Sequence, residues 1–472
     1  MAWEDSLAAA LSISFSELRF VLALMLAMPV SGLIRFFRNP TARRWYSVLS
    51  GILLIVYPFG RGVLQIVVPS ICTYLAMLLV PRRCALLAWI TVFPYLIWLH
   101  AATASGMLCN SGHIDFLGGV MIVTLKLISM ASSYQDGLVR RPEDLTPYQS
   151  AHKMSRVPGP LSFLSFVVGL GTLLVGPTFE FSEFDEFIRL DGVWSTRDGK
   201  RGAPLGATHG AFLFFQGLFF MGLHIALINK LGWSVSGDHY WFRNPSYAQQ
   251  PLYLRLACQV VCGFAHQVKY YFLWKMSEAA CTFSGFDFVG FDDAGDKKAT
   301  AVWGRTTNVH FLGMWLSDSS RIVPLHWNIR TGVFLKHYVY ERLVGPRGRA
   351  GIAHVLVTQL VTAFWHGVYP GYLIFFVGTV FYLQAGTVIY RAEKTVIPAL
   401  VAKSRIWWLI KVVWTDVAVC YMSMAFVLLE GRKGLEVHSD VYFLPHVLML
   451  VICLLGLIVP KPRKRDEKEK SS

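Results

Sequence analysis

Apolar residues along this chain are gathered into long runs that are separated by short polar loops. The runs are about 15 to 24 residues long, and a helix needs about 20 apolar residues to cross the hydrocarbon core of a bilayer. A soluble hydrophobic core accounts for a few such runs but not for ten or more. The pattern therefore predicts a polytopic membrane protein built from α-helices.

Twelve segments fit this pattern. They are Leu18–Phe36, Tyr46–Phe59, Gly62–Val80, Cys84–Ala102, Ile114–Ser132, Leu161–Val175, Ala211–Asn229, Leu252–Trp274, Gly351–Trp365, Tyr372–Tyr390, Ile406–Leu429 and Tyr442–Val459. Tyr46–Phe59 and Leu161–Val175 are short for a perpendicular crossing, which favours re-entrant or protein-enclosed helices. We expect an all-α fold of ten to twelve transmembrane or re-entrant helices, with residues 1–460 as a single membrane domain.

The distribution of charged residues predicts how the chain is oriented in the membrane. The 472 residues carry a net charge of +15, although only 15% of them are charged and 54% are hydrophobic. Lys and Arg lie at the ends of the apolar runs, and no basic stripe carries a motif that reads nucleic acid. The loops around Arg35, Arg83 and Arg140 are basic, whereas residues 1–16 and 103–113 contain no Lys or Arg. This alternation predicts an N-terminus outside the cytosol and basic loops inside it.

Residues 461–472 are predicted to form a basic cytosolic tail with six Lys or Arg. Lys468 and Lys470 stand at the fifth and third positions from the end, which resembles the dilysine signal that retrieves membrane proteins to the endoplasmic reticulum. The alternative is a charged, disordered tail without such a signal. We expect a multi-pass protein of the endoplasmic reticulum membrane.

Several kinds of chemistry find no support in the sequence. The eight cysteines include no C-x-x-C pair, which argues against a zinc site or a disulfide framework. The G-x-S-x-G elbow of hydrolases and the H-E-x-x-H metal motif are both absent from the sequence. We expect neither a metal nor a bound cofactor.

One of the fourteen histidines stands in a setting that suits catalysis. His366 follows a largely apolar run, and Trp365, Gly367 and Tyr369 lie beside it in the sequence. A neutral imidazole in surroundings of low dielectric constant is a good general base near neutral pH. The alternative is a histidine at a helix end that hydrogen-bonds a neighbour.

A second segment, residues 324–343, is mixed in polarity and rich in aromatic residues. If it is helical, Trp327 and Thr331 share one face with Phe334 and Tyr338. Asn328 can donate and accept hydrogen bonds, and it needs partners if it is buried. The segment is therefore a candidate wall of a polar site.

These two regions resemble the signature motifs of the membrane-bound O-acyltransferase family. The first motif is Trp327-Asn328-Ile329 with residues 338–342, and the second runs from Trp365 to Tyr372. More narrowly, they are similar to the lysophospholipid acyltransferase branch, of the type called lysophosphatidylcholine acyltransferases in plants and yeast. Residues 125–137, 176–180 and 269–279 fit the same branch, so the resemblance covers nearly the whole chain.

The resemblance implies tilted helices that enclose a catalytic chamber in the membrane. It implies that His366 is the catalytic histidine and that Asn328 is its polar companion, with acyl-CoA entering from the cytosol and the lysophospholipid from the bilayer. Asp136 and Glu180 either support the chamber or lie in solvated loops. The side chains expected to contact the substrates are Trp327, Trp365, Tyr372, Arg330, Lys336 and Arg342. Their alternative roles are packing and interfacial anchoring for the aromatic residues and positive-inside anchoring for the basic ones.

The expected reaction moves a fatty acyl group from acyl-CoA to the free hydroxyl, at sn-2, of a lysophospholipid such as lysophosphatidylcholine. His366 would act as the general base, and Asn328 would either orient it or donate to the developing oxyanion. Two alternatives stay open. One is a family member that acylates diacylglycerol or a sterol, and the other is a lipid transporter or scramblase. The implied partners are acyl-CoA, the lysophospholipid and membrane lipids.

Overall fold

The computed structural model describes residues 2–11, 14–105, 115–195, 202–231, 241–292, 299–346 and 348–461. These residues form twenty-one α-helices and one two-stranded antiparallel hairpin. The strands are β1 (Phe288–Phe291) and β2 (Ala301–Trp303). The helices are α1 (Ala2–Leu11), α2 (Phe15–Gly32), α3 (Pro40–Phe59), α4 (Val67–Leu79), α5 (Cys84–Ala104), α6 (Leu117–Val139), α7 (Pro147–His152), α8 (Pro160–Val168), α9 (Phe181–Arg189), α10 (Ala207–Leu231), α11 (Pro245–Ala248), α12 (Leu252–Ser284), α13 (Phe311–Trp315), α14 (Ile329–Phe334), α15 (Glu341–Val344), α16 (Ile352–His366), α17 (Pro370–Thr395), α18 (Ala399–Ala402), α19 (Arg405–Leu428), α20 (Gly431–Ser439) and α21 (Leu444–Leu455).

The predicted all-α polytopic fold is confirmed. Each of the twelve predicted segments overlaps helical structure, although Ile114 and the tail from 462 to 472 lie outside the described residues. By length and hydropathy, seven helical segments of the described chain can cross a membrane, or eight if the α20–α21 pair, bent by 83°, counts as one span. The helices Pro160–Gly171 and Ile352–His366 are apolar but shorter. With 15 residues, α16 is roughly 22 Å long, less than the hydrocarbon core of about 30 Å.

Helix α6 lies at the centre of the bundle. In its most apolar window, 78% of the residues are buried inside the protein, compared with 17% for α10 on the lipid-facing side. The long helix α12 packs against α2, α10 and α19. Both helices carry buried charged residues, Lys126 and Asp136 on α6 and Lys275 and Glu278 on α12.

Lys126 of α6 is fully buried, and its ammonium group bonds the end of the short helix α8. Its Nζ donates to the carbonyl oxygen of Phe166 at 2.9 Å and to Thr172 Oγ1 at 3.0 Å. The last carbonyls of a helix lack partners within the helix, and a cation is favoured at that end. Lys126 therefore explains why α8 can end at Val168 inside the protein.

The β1–β2 hairpin is anchored by a buried aspartate. Asp287 Oδ1 accepts hydrogen bonds from the backbone N–H of Thr306 at 2.7 Å and from its hydroxyl at 2.6 Å, and Oδ2 accepts from Gly304 N–H at 3.1 Å. This anchor fixes the start of the extended stretch that leads to Asn308, beside the first signature motif.

Candidate active site

His366 is the last residue of α16, and its imidazole lies among aromatic rings. The ring centroid is 5.1 Å from those of Phe376 and Phe426 and 5.7 Å from that of Tyr372. Within the described part of the chain, no protein group hydrogen-bonds the imidazole, and the side chain is half-buried. This arrangement does not match the alternative of a histidine that hydrogen-bonds a neighbour.

The C-terminal end of α16 is hydrogen-bonded to two other helices, α5 and α6. Trp365 Nε1 donates to the carbonyl oxygen of Met121 on α6 at 3.0 Å. The carbonyl oxygen of Trp365 lies 3.1 Å from Nε2 of His100 on α5, and this nitrogen must be the donor because a carbonyl only accepts. Gly367 has φ +142°, and a Cβ at this position would lie 3.3 Å from His100 Nδ1. Trp365 thus positions the neighbouring histidine, and His100 is a residue that sequence reasoning missed.

Asn328 precedes α14 in a left-handed conformation, with φ 45° and ψ 49°. Asparagine tolerates this conformation better than most residues. Its Oδ1 accepts a hydrogen bond from Asn308 Nδ2 at 3.3 Å, and the side chain is half-buried. Asn308 was not anticipated because it lies twenty residues upstream in a polar loop.

An aromatic cluster surrounds Trp327, the residue before Asn328. Its ring centroid is 4.8 Å from Trp274, 5.8 Å from Tyr271 and 5.9 Å from Tyr270. Aromatic side chains of α12 therefore surround the first motif, and Tyr372 of α17 lies beside the His366 ring of the second motif.

A small apolar cavity of about 10 Å³, room for about one water molecule, lies between the two motif segments. It is lined by Trp89, Phe93, Leu125, Ile128, Thr331, Phe334, Leu335, Val361 and Trp365. Residues of α14, which follows Asn328, and of α16, which ends at His366, face each other across this cavity.

The three basic candidates differ in their surroundings. Arg330 donates to Glu183 at 3.3 Å, and Arg342 binds both oxygens of Asp136 at 3.0 and 2.6 Å. These guanidinium groups are engaged in ion pairs within the protein, which favours a structural role for both. Lys336 is exposed and has no carboxylate partner among the described residues. It stays the basic candidate that is free to bind a phosphate.

The solvated-loop interpretation of the two acidic residues is wrong. Asp136 is 1% exposed and Glu180 is 6% exposed. Glu180 accepts hydrogen bonds from the hydroxyls of Tyr148 and Tyr338, both at 2.8 Å. Burial raises the pKa of Glu180, while hydrogen bonds from the two tyrosines oppose the rise. Hydropathy could not reveal these contacts, because their partners are far away in sequence.

In the described ranges, no group of three or more His, Cys, Asp or Glu side chains could hold a metal ion.

Comparison with known proteins finds a matching family model and several similar proteins. Residues 102–429 match the model of MBOAT, the membrane-bound O-acyltransferase family. The chain is 33% identical to "Lysophospholipid acyltransferase 2" of Arabidopsis thaliana, over 98% of this chain and 99% of that protein. It is 31% identical to "Lysophospholipid acyltransferase 1" of the same plant, with the same coverage. It is also 26% identical to the Homo sapiens "Membrane-bound glycerophospholipid O-acyltransferase 2", over 90% of this chain and 81% of that protein.

Proposed function

The chain belongs to the membrane-bound O-acyltransferase family, and we propose that it transfers a fatty acyl group from acyl-CoA to the free sn-2 hydroxyl of a lysophospholipid such as lysophosphatidylcholine. The names of its plant relatives support this acceptor class. The observation that carries the proposal is the imidazole of His366, which stands without a hydrogen-bond partner from the described protein in an aromatic enclosure.

In the proposed mechanism, His366 removes the proton from the glycerol hydroxyl while the oxygen attacks the thioester carbonyl. The tetrahedral intermediate then collapses, the carbon–sulfur bond breaks, and the proton on His366 neutralises the departing CoA thiolate. Asn328 orients the histidine or donates to the oxyanion. The aromatic rings around His366 exclude water, which would otherwise hydrolyse the thioester. We propose a direct reaction between the two bound substrates, without an acyl-enzyme.

The two substrates differ in how they reach this site. Acyl-CoA is a soluble polyanion, so it approaches from the cytosol, where Lys336 and the exposed Arg349 are candidates for its phosphates. The lysophospholipid enters sideways from the bilayer. We propose that the protein resides in the endoplasmic reticulum membrane with its C-terminal tail in the cytosol.

The test is a two-substrate assay with purified protein in liposomes. Release of free CoA from oleoyl-CoA should depend on added lysophospholipid and should not be supported by diacylglycerol or a sterol. His366→Ala should lower the rate by about 10²–10⁴-fold, the usual contribution of a general base. His354→Ala, on the first turn of the same helix, is the matched control and should keep the wild-type rate. A His366→Ala protein that esterifies lysophospholipid at the wild-type rate would exclude the mechanism.

A further inference from the structure

Asn308 contacts three consecutive residues, Asn328 and Ile329 of the first motif and the next residue, Arg330. Its carbonyl oxygen accepts the N–H of Ile329 at 2.9 Å, its Oδ1 accepts the N–H of Arg330 at 3.0 Å, and its Nδ2 donates to Asn328 Oδ1 at 3.3 Å. The first N–H groups of a helix have no partner within the helix, and Asn328 does not cap α14 with its own side chain. Asn308 therefore caps α14 from outside that helix.

These contacts fix which end of each amide faces the other. The N–H of Arg330 can only donate, so the Asn308 atom that meets it must be the oxygen. The remaining Asn308 atom is then the NH₂ group, which needs an acceptor, so the Asn328 atom facing it must be its oxygen. The NH₂ group of Asn328 is consequently turned away from Asn308, and no acceptor for it occurs in the described part of the protein.

A buried ion pair on α12 holds Asn308 in place. Glu278 Oε1 accepts the N–H groups of Asn308 at 2.7 Å and of Val309 at 3.2 Å. Lys275 Nζ donates to Glu278 Oε2 at 2.6 Å and to the Val309 carbonyl oxygen at 3.0 Å. Asn308 is 2% exposed, and the charged pair is satisfied on both sides. These contacts leave the Asn308 backbone little freedom to move.

We propose that Asn308 is a positioning residue that fixes the Asn328 amide with its NH₂ group free for the substrate. Asn328 then acts as a hydrogen-bond donor to the thioester oxygen as negative charge develops on it. It does not act as an acceptor that orients His366. The inference rests on the proposed function and assigns the chemical role of one group within it.

The test exploits the difference between an amide and a carboxylate. Asn308→Asp keeps an oxygen for the Arg330 N–H but replaces the donor with a second oxygen. The Asn328 amide must then turn its NH₂ group towards residue 308 and present its oxygen to the substrate. Loss of one oxyanion donor lowers kcat by about 10²–10³-fold, so we expect about a 10²-fold fall with the KM for acyl-CoA within about threefold. Asn39→Asp is the matched control, since Asn39 caps α3 only by accepting from Thr41 and Ala42.

Two further variants separate positioning from folding. Asn308→Ser keeps an acceptor for the cap but cannot reach Asn328, so its kcat should fall less than that of Asn308→Asp, even if the latter folds poorly. Asn308→Asp combined with Asn328→Ala should be no slower than Asn328→Ala alone, because the first residue acts through the second. A folded Asn308→Asp enzyme with wild-type kcat, or a double variant showing the product of both losses, would overturn this inference alone. A wild-type protein that leaves lysophospholipid unesterified would overturn the proposed function as well.

Discussion

The ion pair between Arg342 and Asp136 leads to a prediction about whether Arg342 stabilises the fold or binds a substrate. Arg342 binds both carboxylate oxygens of Asp136, whose side chain is 2% exposed. Arg140 also reaches Asp136, at 3.2 Å. We predict that Arg342→Met destabilises the folded protein, because it leaves a buried carboxylate with one partner that is more exposed to solvent.

The magnitude follows from this geometry. Removing one partner of a buried ion pair costs about 3–5 kcal/mol. We expect a loss of about 3 kcal/mol in the free energy of unfolding, at the lower end, because Arg140 still neutralises part of the charge. This corresponds to a roughly 150-fold change in the ratio of folded to unfolded protein, since about 1.4 kcal/mol is tenfold. Adding Asp136→Asn to Arg342→Met removes the stranded charge and should recover much of the loss.

The assay pairs thermal unfolding in detergent with the KM for acyl-CoA after reconstitution. Lys336→Met is the matched comparison, because Lys336 is exposed and lacks a carboxylate partner in the described residues. It should change the free energy of unfolding by no more than about 0.5 kcal/mol while it raises the KM for acyl-CoA. The reasoning is refuted if Arg342→Met unfolds at the wild-type temperature and raises this KM instead.

Two other substitutions probe how the ends of α16 and α17 are held. His100→Leu should destabilise the protein by about 1–3 kcal/mol and lower kcat, because the Trp365 carbonyl loses its donor, whereas His100→Gln keeps an N–H and should retain most turnover. Equal kcat values for the two variants would contradict this. Gly371→Ala should lower the unfolding temperature, because a Cβ would lie 2.1 Å from the Ala425 carbonyl oxygen, and crowding of this kind costs about 1–3 kcal/mol. Gly222→Ala meets nothing within 4 Å and is the control, so an equal effect of both changes would disprove the argument.

Hydropathy predicted the helices well because each span must be apolar over its own length. It did not predict where helices end inside the protein. The segment predicted as Leu161–Val175 is helical to Val168 and then breaks at Leu170, which has φ 60°. The hydrogen bonds that make this break possible come from Lys126 on another helix. The hydropathy of residues 161–175 therefore could not predict the break.

The motif residues were predictable for a similar reason, since His366 and Asn328 lie in short contiguous blocks. Their supporting residues were not predictable in this way. His100 lies 265 residues from the carbonyl that it bonds, and Asn308 lies in a polar loop with no motif of its own. Glu278 was part of a recognised block, but its function as an acceptor for the Asn308 backbone depends on how α12 packs.

The polar groups of this protein divide by whether the fold already uses them. Lys126 donates to a carbonyl at the end of α8. Lys275 and Glu278 form an ion pair and also bind the backbone at Asn308 and Val309. These buried charges therefore have partners within the fold. A polar group inside a membrane protein is costly unless it is paired or serves a function. The imidazole of His366 and the NH₂ group of Asn328 have no such partner among the described residues, although the helices that carry them are held firmly. This contrast supports the proposal that the fold leaves the His366 imidazole and the Asn328 NH₂ group open so that both can act in one reaction.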